Sequence, residues 1–277
     1  MLPAFGGHTY SWMLHEPVEA SLERLAGLGF TAVEMMAHPG HLWAAELGSA
    51  ERAALRRRLE RLGFEPIVLN MPNLDINVGS TVPEMRAYSL GLLEGLVGLA
   101  GDLGAAGVVI GPGKPNALLP APRAVLQRHL FAALDRLGPV ARAAGTEIWV
   151  ENMPFGFVAD AASLAGVLDE YGDPAIGAVF DFTNAWFVGE EFSAGLATFR
   201  SRLKLVHASD SGRDVFRHAA LGTGTMPLEP IPGCLAEVGY RGPIVLEILS
   251  QTPDADFVTS RERLLALDWS PQVAAAR

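Results

Sequence analysis

Glu151, Asp181, His207 and Glu247 belong to the residue types that bind hard metal ions, and each ends a short apolar run. The runs are Ile148-Trp149-Val150-Glu151, Ala178-Val179-Phe180-Asp181, Leu203-Lys204-Leu205-Val206-His207 and Ile244-Val245-Leu246-Glu247. Three carboxylates and one imidazole form an oxygen-rich donor set that suits one divalent cation, manganese, magnesium or zinc, better than copper or iron-sulfur chemistry. Taken singly, an acid after a strand is ordinarily a helix cap or a solvated loop residue. Four of them at intervals of about one strand plus one helix are hard to obtain by accident. They converge if the four strands are neighbours in a parallel barrel, whose C-terminal ends open on one face.

The rest of the chain supplies the elements such a barrel needs. Strand-like runs recur at Leu2 to Gly6, Ala32 to Met36, Pro66 to Asn70, Val108 to Gly111, Glu147 to Asn152, Ile176 to Asp181, Leu203 to Ala208 and Pro243 to Ile248. Between them, segments such as Ala44 to Leu62 and Tyr88 to Leu103 carry leucine and alanine at helical spacing with charges on the other face. Leu62-Gly63-Phe64, Leu103-Gly104-Ala105 and Ala144-Gly145-Thr146 each set glycine just past a helical turn. Strand and helix alternating eight times predict an α/β fold, a (β/α)8 TIM barrel. An open doubly wound sheet is disfavoured, because Gly6-Gly7 is only a glycine pair and no Gly-x-Gly-x-x-Gly turn follows the first run. One domain over residues 1–277 is expected, with a short tail from about residue 270.

Composition narrows the partners. A formal net charge of −10 argues against nucleic acid and anionic membranes as binding surfaces. Cys234 is the single cysteine, so no intrachain disulfide can form; it is expected to be a packed side chain, and a reducing cytoplasm is the expected setting. Met1 to Tyr10 lacks the basic and apolar segments of a secretory signal, and Glu94 and Asp102 interrupt the most apolar stretch, Leu90 to Gly113. Neither export nor a membrane span is expected.

Several of these motifs, taken together, resemble the xylose isomerase-like superfamily of barrels, which includes sugar epimerases and isomerases, inosose and dehydroshikimate dehydratases, and endonuclease IV. The resemblance covers nearly the whole chain. It is carried by Val150-Glu151-Asn152, Asp181-Phe182-Thr183-Asn184, Val206-His207-Ala208-Ser209-Asp210, Gly222-Thr223-Gly224-Thr225, and Gly239-Tyr240-Arg241-Gly242-Pro243 leading to Glu247. It implies one divalent metal ion held by Glu151, Asp181, His207 and Glu247, with Glu151 and Glu247 also acting as acid and base. The members that cut abasic DNA hold three zinc ions and need further histidines. Here Asn70-Met71-Pro72-Asn73, Gly111-Pro112-Gly113 and Asn184 depart from that pattern, although Asp214 and His218 resemble a remnant of the third zinc site.

Other residues are expected around the mouth. His8, Tyr10 and Trp12 follow the first run, and Asn70 and Asn184 follow the third and sixth. With Arg213, Arg217 and His218 of the glycine-containing loop after the seventh run, His8, Asn70 and Asn184 are candidates for binding a small polyhydroxylated keto substrate. Asn152 and Asp210 are candidates for orienting the metal-binding groups, and Asp210 is also a candidate for a second cation. His38 and His41 flank a proline-glycine turn and are not expected to bind metal. The expected reaction is isomerisation or epimerisation by proton transfer through an enediolate. A dehydratase of the inosose or dehydroshikimate type is the alternative, ahead of an abasic-site nuclease and of a barrel that only binds. By resemblance, a homo-oligomer is expected.

Overall fold

Side chains alternate across a strand, so every second residue of a closed barrel points inward. The computed structural model describes residues 5–71 and 76–267. Its strands are β1 Phe5–His8, β2 Ala32–Met36, β3 Ile67–Asn70, β4 Gly107–Ile110, β5 Glu147–Glu151, β6 Gly177–Asp181, β7 Leu203–Ala208 and β8 Ile244–Leu246. All pair in parallel in chain order, and β8 returns to β1, closing the barrel. The helices are α1 Val18–Gly27, α2 Ser49–Leu62, α3 Pro83–Leu103, α4 Arg123–Ala144, α5 Ala161–Tyr171, α6 Phe182–Val188, α7 Phe192–Phe199, α8 Ile231–Val238 and α9 Pro253–Ala266. None of the described helices is long and apolar enough to cross a membrane.

The barrel interior is layered. Val68, Val109, Trp149, Val179, Leu205 and Val245, one from each of β3 to β8, form a buried cluster separate from the larger one between strands and helices. Trp149 fills most of its share because its neighbours have no side chain: a Cβ at Gly107 or Gly177 would lie 2.4 or 2.5 Å from the indole. Gly6 admits Val245 from the β1 side in the same way, at 2.6 Å from its Cγ2. Two residues further along each strand comes a second inward layer: His8, Glu34, Asn70, Gly111, Glu151, Asp181, His207 and Glu247. The chemistry of the inner wall changes from apolar to polar within one such step.

Outside, the helices cover the strands with one apolar stripe each. In α4, Leu126, Leu130, Leu134, Leu137 and Ala141 are all buried, and each fully buried leucine contributes about 1.5–3 kcal/mol. Gly63, Gly104 and Gly145 end α2, α3 and α4 in the left-handed conformation, as their positions in the sequence predict.

Some boundaries differ from expectation. β1 runs to His8 rather than ending at Gly6, while Leu2 to Ala4 lie outside the described residues, as do Asn73 and the tail from 270. α2 begins at Ser49, not Ala44, because Arg52 turns back to bond the carbonyls of Ala44 and Leu47 and holds that segment as a turn. α3 begins at Pro83, ahead of Tyr88, with proline in its first turn, where no donor is lost. Two helices, α6 and α7, join β6 to β7, and a helix-free loop over residues 209–230 follows β7.

Candidate metal centre and active-site cavity

Strand register brings the four expected ligands to one height. Glu151 and Asp181 are the last residues of β5 and β6, His207 is paired with Asp181, and Glu247 follows β8 by one residue. Each offers a ligand atom within 4.8 Å of the other three, and all are buried. His207 Nδ1 lies 3.1 Å from Glu151 Oε1, 3.2 Å from Glu247 Oε2 and 3.8 Å from Asp181 Oδ2. Asp181 Oδ2 and Glu247 Oε2 are buried yet accept no hydrogen bond. Buried acceptors normally find a partner, so two orphaned carboxylate oxygens converging on a ring nitrogen fit a divalent cation.

Nearby groups hold these side chains in place. Asp181 Oδ1 accepts from the backbone N–H of Asn184, capping α6. Asn152 donates to the Asp181 carbonyl and accepts from its N–H, tying β5 to the main chain of Asp181. Asn184 donates to the Asn152 carbonyl and, at 3.3 Å, to Glu151 Oε1. The second nitrogen of His207, Nε2, lies 2.7 Å from Glu34 Oε2, which leaves Nδ1 to face the cluster.

Glu34 is the functional candidate that the sequence reading missed. It sits at the centre of β2, fully buried, and its other oxygen accepts from Asn70 Nδ2 at 2.6 Å and lies 3.5 Å from His8 Nε2. The available signal was a lone charge inside Ala32-Val33-Glu34-Met35-Met36, where a buried strand otherwise carries none.

Electrostatics follows from crowding acids around imidazoles. Burial pushes the Glu151 carboxyl up to about 8, with His207 partly opposing it. Burial also raises Asp181, which His218 opposes. For Glu34, burial would raise the pKa, but His207 and His8 outweigh it and hold the carboxyl at about 2. Glu247 is likewise held low, since His218, His207 and His8 together overcome burial. His207 moves well above its ordinary value because Glu34, Glu151 and Glu247 outweigh the burial that would lower it.

A cavity of about 450 Å³ opens directly above this cluster. Asn70, Asn184, Arg217 and His218 line it together with Glu151 and Glu247, as expected of substrate-binding candidates. The amide oxygens of Asn70 and Asn184 are buried without partners. His218 Nδ1 contacts Ser209 Oγ at 3.0 Å and lies 3.6 Å from Glu247 Oε2.

Three expectations need correction. His8 does not line the cavity: it is fully buried, its Nδ1 accepts from the Tyr10 N–H, and its Nε2 faces Glu34 and lies 4.0 Å from Glu247 Oε1. Arg213 lies outside the cavity lining because its guanidinium stacks 3.6 Å over the Trp186 ring. Asp210 braces its own loop rather than the ligand cluster. Its two oxygens accept from the backbone of Ser211, Gly222 and Met226, which folds the loop after β7. Asp214, the other half of the third-site remnant, is exposed. His41 uses both nitrogens, on the Glu16 carbonyl and Thr9 Oγ1, and is not a ligand. Cys234 is packed and buried, beside Ser193.

A closed (β/α)8 barrel with a buried acid-imidazole cluster at the C-terminal ends of its strands defines a class of barrels that can hold a metal ion. Consistent with this, the model of the family described as xylose isomerase-like TIM barrel matches residues 22–267, and the chain belongs to that family. A Mycobacterium ulcerans (strain Agy99) protein named probable endonuclease 4 is 30% identical over 214 residues, covering 72% of this chain and 79% of that one. Among solved structures, an L-ribulose 3-epimerase superposes with a TM-score of 0.83 at 19% identity, covering 97% of this chain and 95% of its own. A D-tagatose 3-epimerase-like protein gives 0.82 at 22%, covering 97% and 99%.

Proposed function

We propose that this protein is a divalent-metal-dependent epimerase or isomerase of small keto-sugars. The observation that carries the reading is the ligand cluster itself. Two glutamates, Glu151 and Glu247, share it and also line the cavity, while orphaned acceptors on Asp181, Glu247, Asn70 and Asn184 await a cation and hydroxyl groups. The epimerase structures that share this fold support the same chemistry.

A bound divalent cation supplies Lewis-acid polarisation of a carbonyl and its neighbouring hydroxyl. Glu151, Asp181, Glu247 and His207 Nδ1 would hold it. Glu34 keeps the proton of His207 on Nε2, so that Nδ1 presents a lone pair. Glu151 and Glu247 both reach the cavity, so one would take the proton next to the carbonyl and the other return it, each through an oxygen the cation leaves free. Return to the same carbon from the other face gives epimerisation; return to the adjacent carbon gives isomerisation. The free oxygens of Asn70 and Asn184 accept from substrate hydroxyls.

The name of the mycobacterial relative favours an abasic-site nuclease as the second reading. Against it stand the net charge of −10 and the presence of Asn70 and Gly111 in the polar layer. Among the described residues, moreover, a single cluster has metal-ligand geometry. The test is incubation of manganese-loaded protein with D-fructose, D-tagatose and D-psicose in heavy water, followed by NMR, beside a duplex containing an abasic site. Deuterium beside the carbonyl together with a new epimer or isomer is the expected result. Strand cleavage without sugar turnover, or loss of water from the sugar, would overturn it.

A further inference from the structure

The cavity has two chemically distinct parts. At its floor, Glu151, Glu247 and the free amide oxygens of Asn70 and Asn184 offer acceptors to hydroxyl groups. Above them the walls are apolar, built by Met36, Met71, Met153, Phe155, Phe216 and Leu249 from the C-terminal ends of four strands and the loop after β7. The aromatic side of this wall is continuous. Phe155 meets Phe216 edge to face at 5.4 Å between centroids, and Phe216 meets His218 at 5.0 Å. His218 in turn reaches Glu247, so the rings lead from the rim to the ligands.

Two members of the wall are still wet: Phe155 is 50% exposed and Leu249 41%. Large apolar side chains left in water around a cavity mark what that cavity binds. A free sugar gains little there, because a hydroxyl against phenylalanine or methionine gives up water without a replacement partner. A sugar phosphate is no better served, since it would meet one guanidinium, Arg217, amid apolar groups.

We infer that the substrate is a keto-sugar whose end remote from the reacting carbons carries an aryl or alkyl group. That group packs between Phe155, Phe216 and Leu249 while Asn70 and Asn184 read the hydroxyls near the carbonyl. The inference rests on the keto-sugar reading above and adds the chemistry of the distal end. The three methionines adapt to shape, so the wall selects a class of substituent rather than one outline.

The test compares the 6-O-methyl and 6-O-benzyl ethers of D-fructose and D-tagatose, which share a reacting end and differ only in the distal group. Affinity for manganese-loaded protein is measured by calorimetry and deuterium exchange beside the carbonyl by NMR, in wild type, Phe155→Ala and Leu249→Ala. Both substitutions are at half-exposed positions and leave the folded core intact. The expected result is benzyl binding about tenfold or more tighter than methyl, the scale of burying one ring, with the preference shrinking toward parity in both variants. Equal affinity for the two ethers, with exchange on both, overturns the distal-group inference and leaves the keto-sugar reading standing. A benzyl preference that survives both substitutions overturns the assignment of the wall. Absence of both binding and exchange overturns the inference together with the reading beneath it.

Discussion

Two layers of the same barrel interior, two residues apart along each strand, are built to opposite ends. The lower one, Val68, Val109, Trp149, Val179, Leu205 and Val245, is apolar and packed around an indole. The upper one crowds Glu34, Glu151, Asp181, Glu247, His8 and His207 into full burial. The lower layer gains stability from every methylene it removes from water. The upper layer forfeits it, since buried like charges are costly unless paired. Strand geometry is the same in both. What differs is that one layer holds the barrel together and the other holds acids close enough to share a cation.

The sharpest way to break this contrast is to substitute one residue in each layer. Asp181→Asn or Glu247→Gln keeps shape and removes one charge. Metal affinity is expected to fall by about 100-fold or more and turnover by about 1,000-fold. The melting temperature of the metal-stripped protein should hold or rise for Asp181→Asn, whose charge burial penalises, and fall for Glu247→Gln, whose charge His218, His207 and His8 stabilise. Calorimetric metal titration beside thermal unfolding reads both. In the lower layer, Trp149→Ala is expected to cost about 3–5 kcal/mol of stability through the cavity it leaves. Measured by urea unfolding, that loss should come with no change in ion stoichiometry while the protein remains folded.

Glu34→Gln probes the support that the upper layer gives its imidazole ligand. The amide can still meet His207, but it no longer fixes the proton on Nε2. A drop of about 10- to 100-fold in metal affinity is expected, with the fold unchanged by circular dichroism. An affinity equal to wild type would reduce Glu34 to a packing residue.

Acidity gives a graded test. A cation must displace the protons on Glu151, whose carboxyl lies up at about 8, and on His207, which lies well above its ordinary value. Apparent metal affinity should therefore climb with pH, about tenfold per unit for each displaced proton, flattening for Glu151 near 8. The stripped protein should respond in the opposite sense. Both groups bind protons more tightly folded than unfolded, so their stabilising contribution is complete at low pH. It fades as pH rises from the ordinary carboxylate range through about 8 for Glu151, and higher for His207. Melting temperature against pH, with and without manganese, should show slopes of opposite sign.

Much of this was legible in the sequence because barrels place function at strand ends. Glu151, Asp181, His207 and Glu247 each end an apolar run, and glycines at 63, 104 and 145 mark where helices stop. Glu34 was not legible by that rule because it lies mid-strand. Its partners, His207 on β7 and Asn70 on β3, lie on other strands, which no single run records. His8 occupies the same polar layer, but its ring is claimed by the Tyr10 N–H and Glu34 rather than by the cavity. Arg213 and Asp210 went astray for another reason: stacking on Trp186 and three backbone N–H groups claimed them, and such tertiary partners leave no local pattern. The apolar cavity wall is likewise assembled from single residues on separate loops.

The central claim is that four strand ends make one metal site, and the most direct measurement is the stoichiometry of manganese bound to chelator-stripped protein by calorimetry, repeated for His207→Gln. One ion per chain in wild type, and none at the same concentrations in the folded variant, is the result the account predicts. Two or three ions per chain, or binding that His207→Gln leaves untouched, would contradict it.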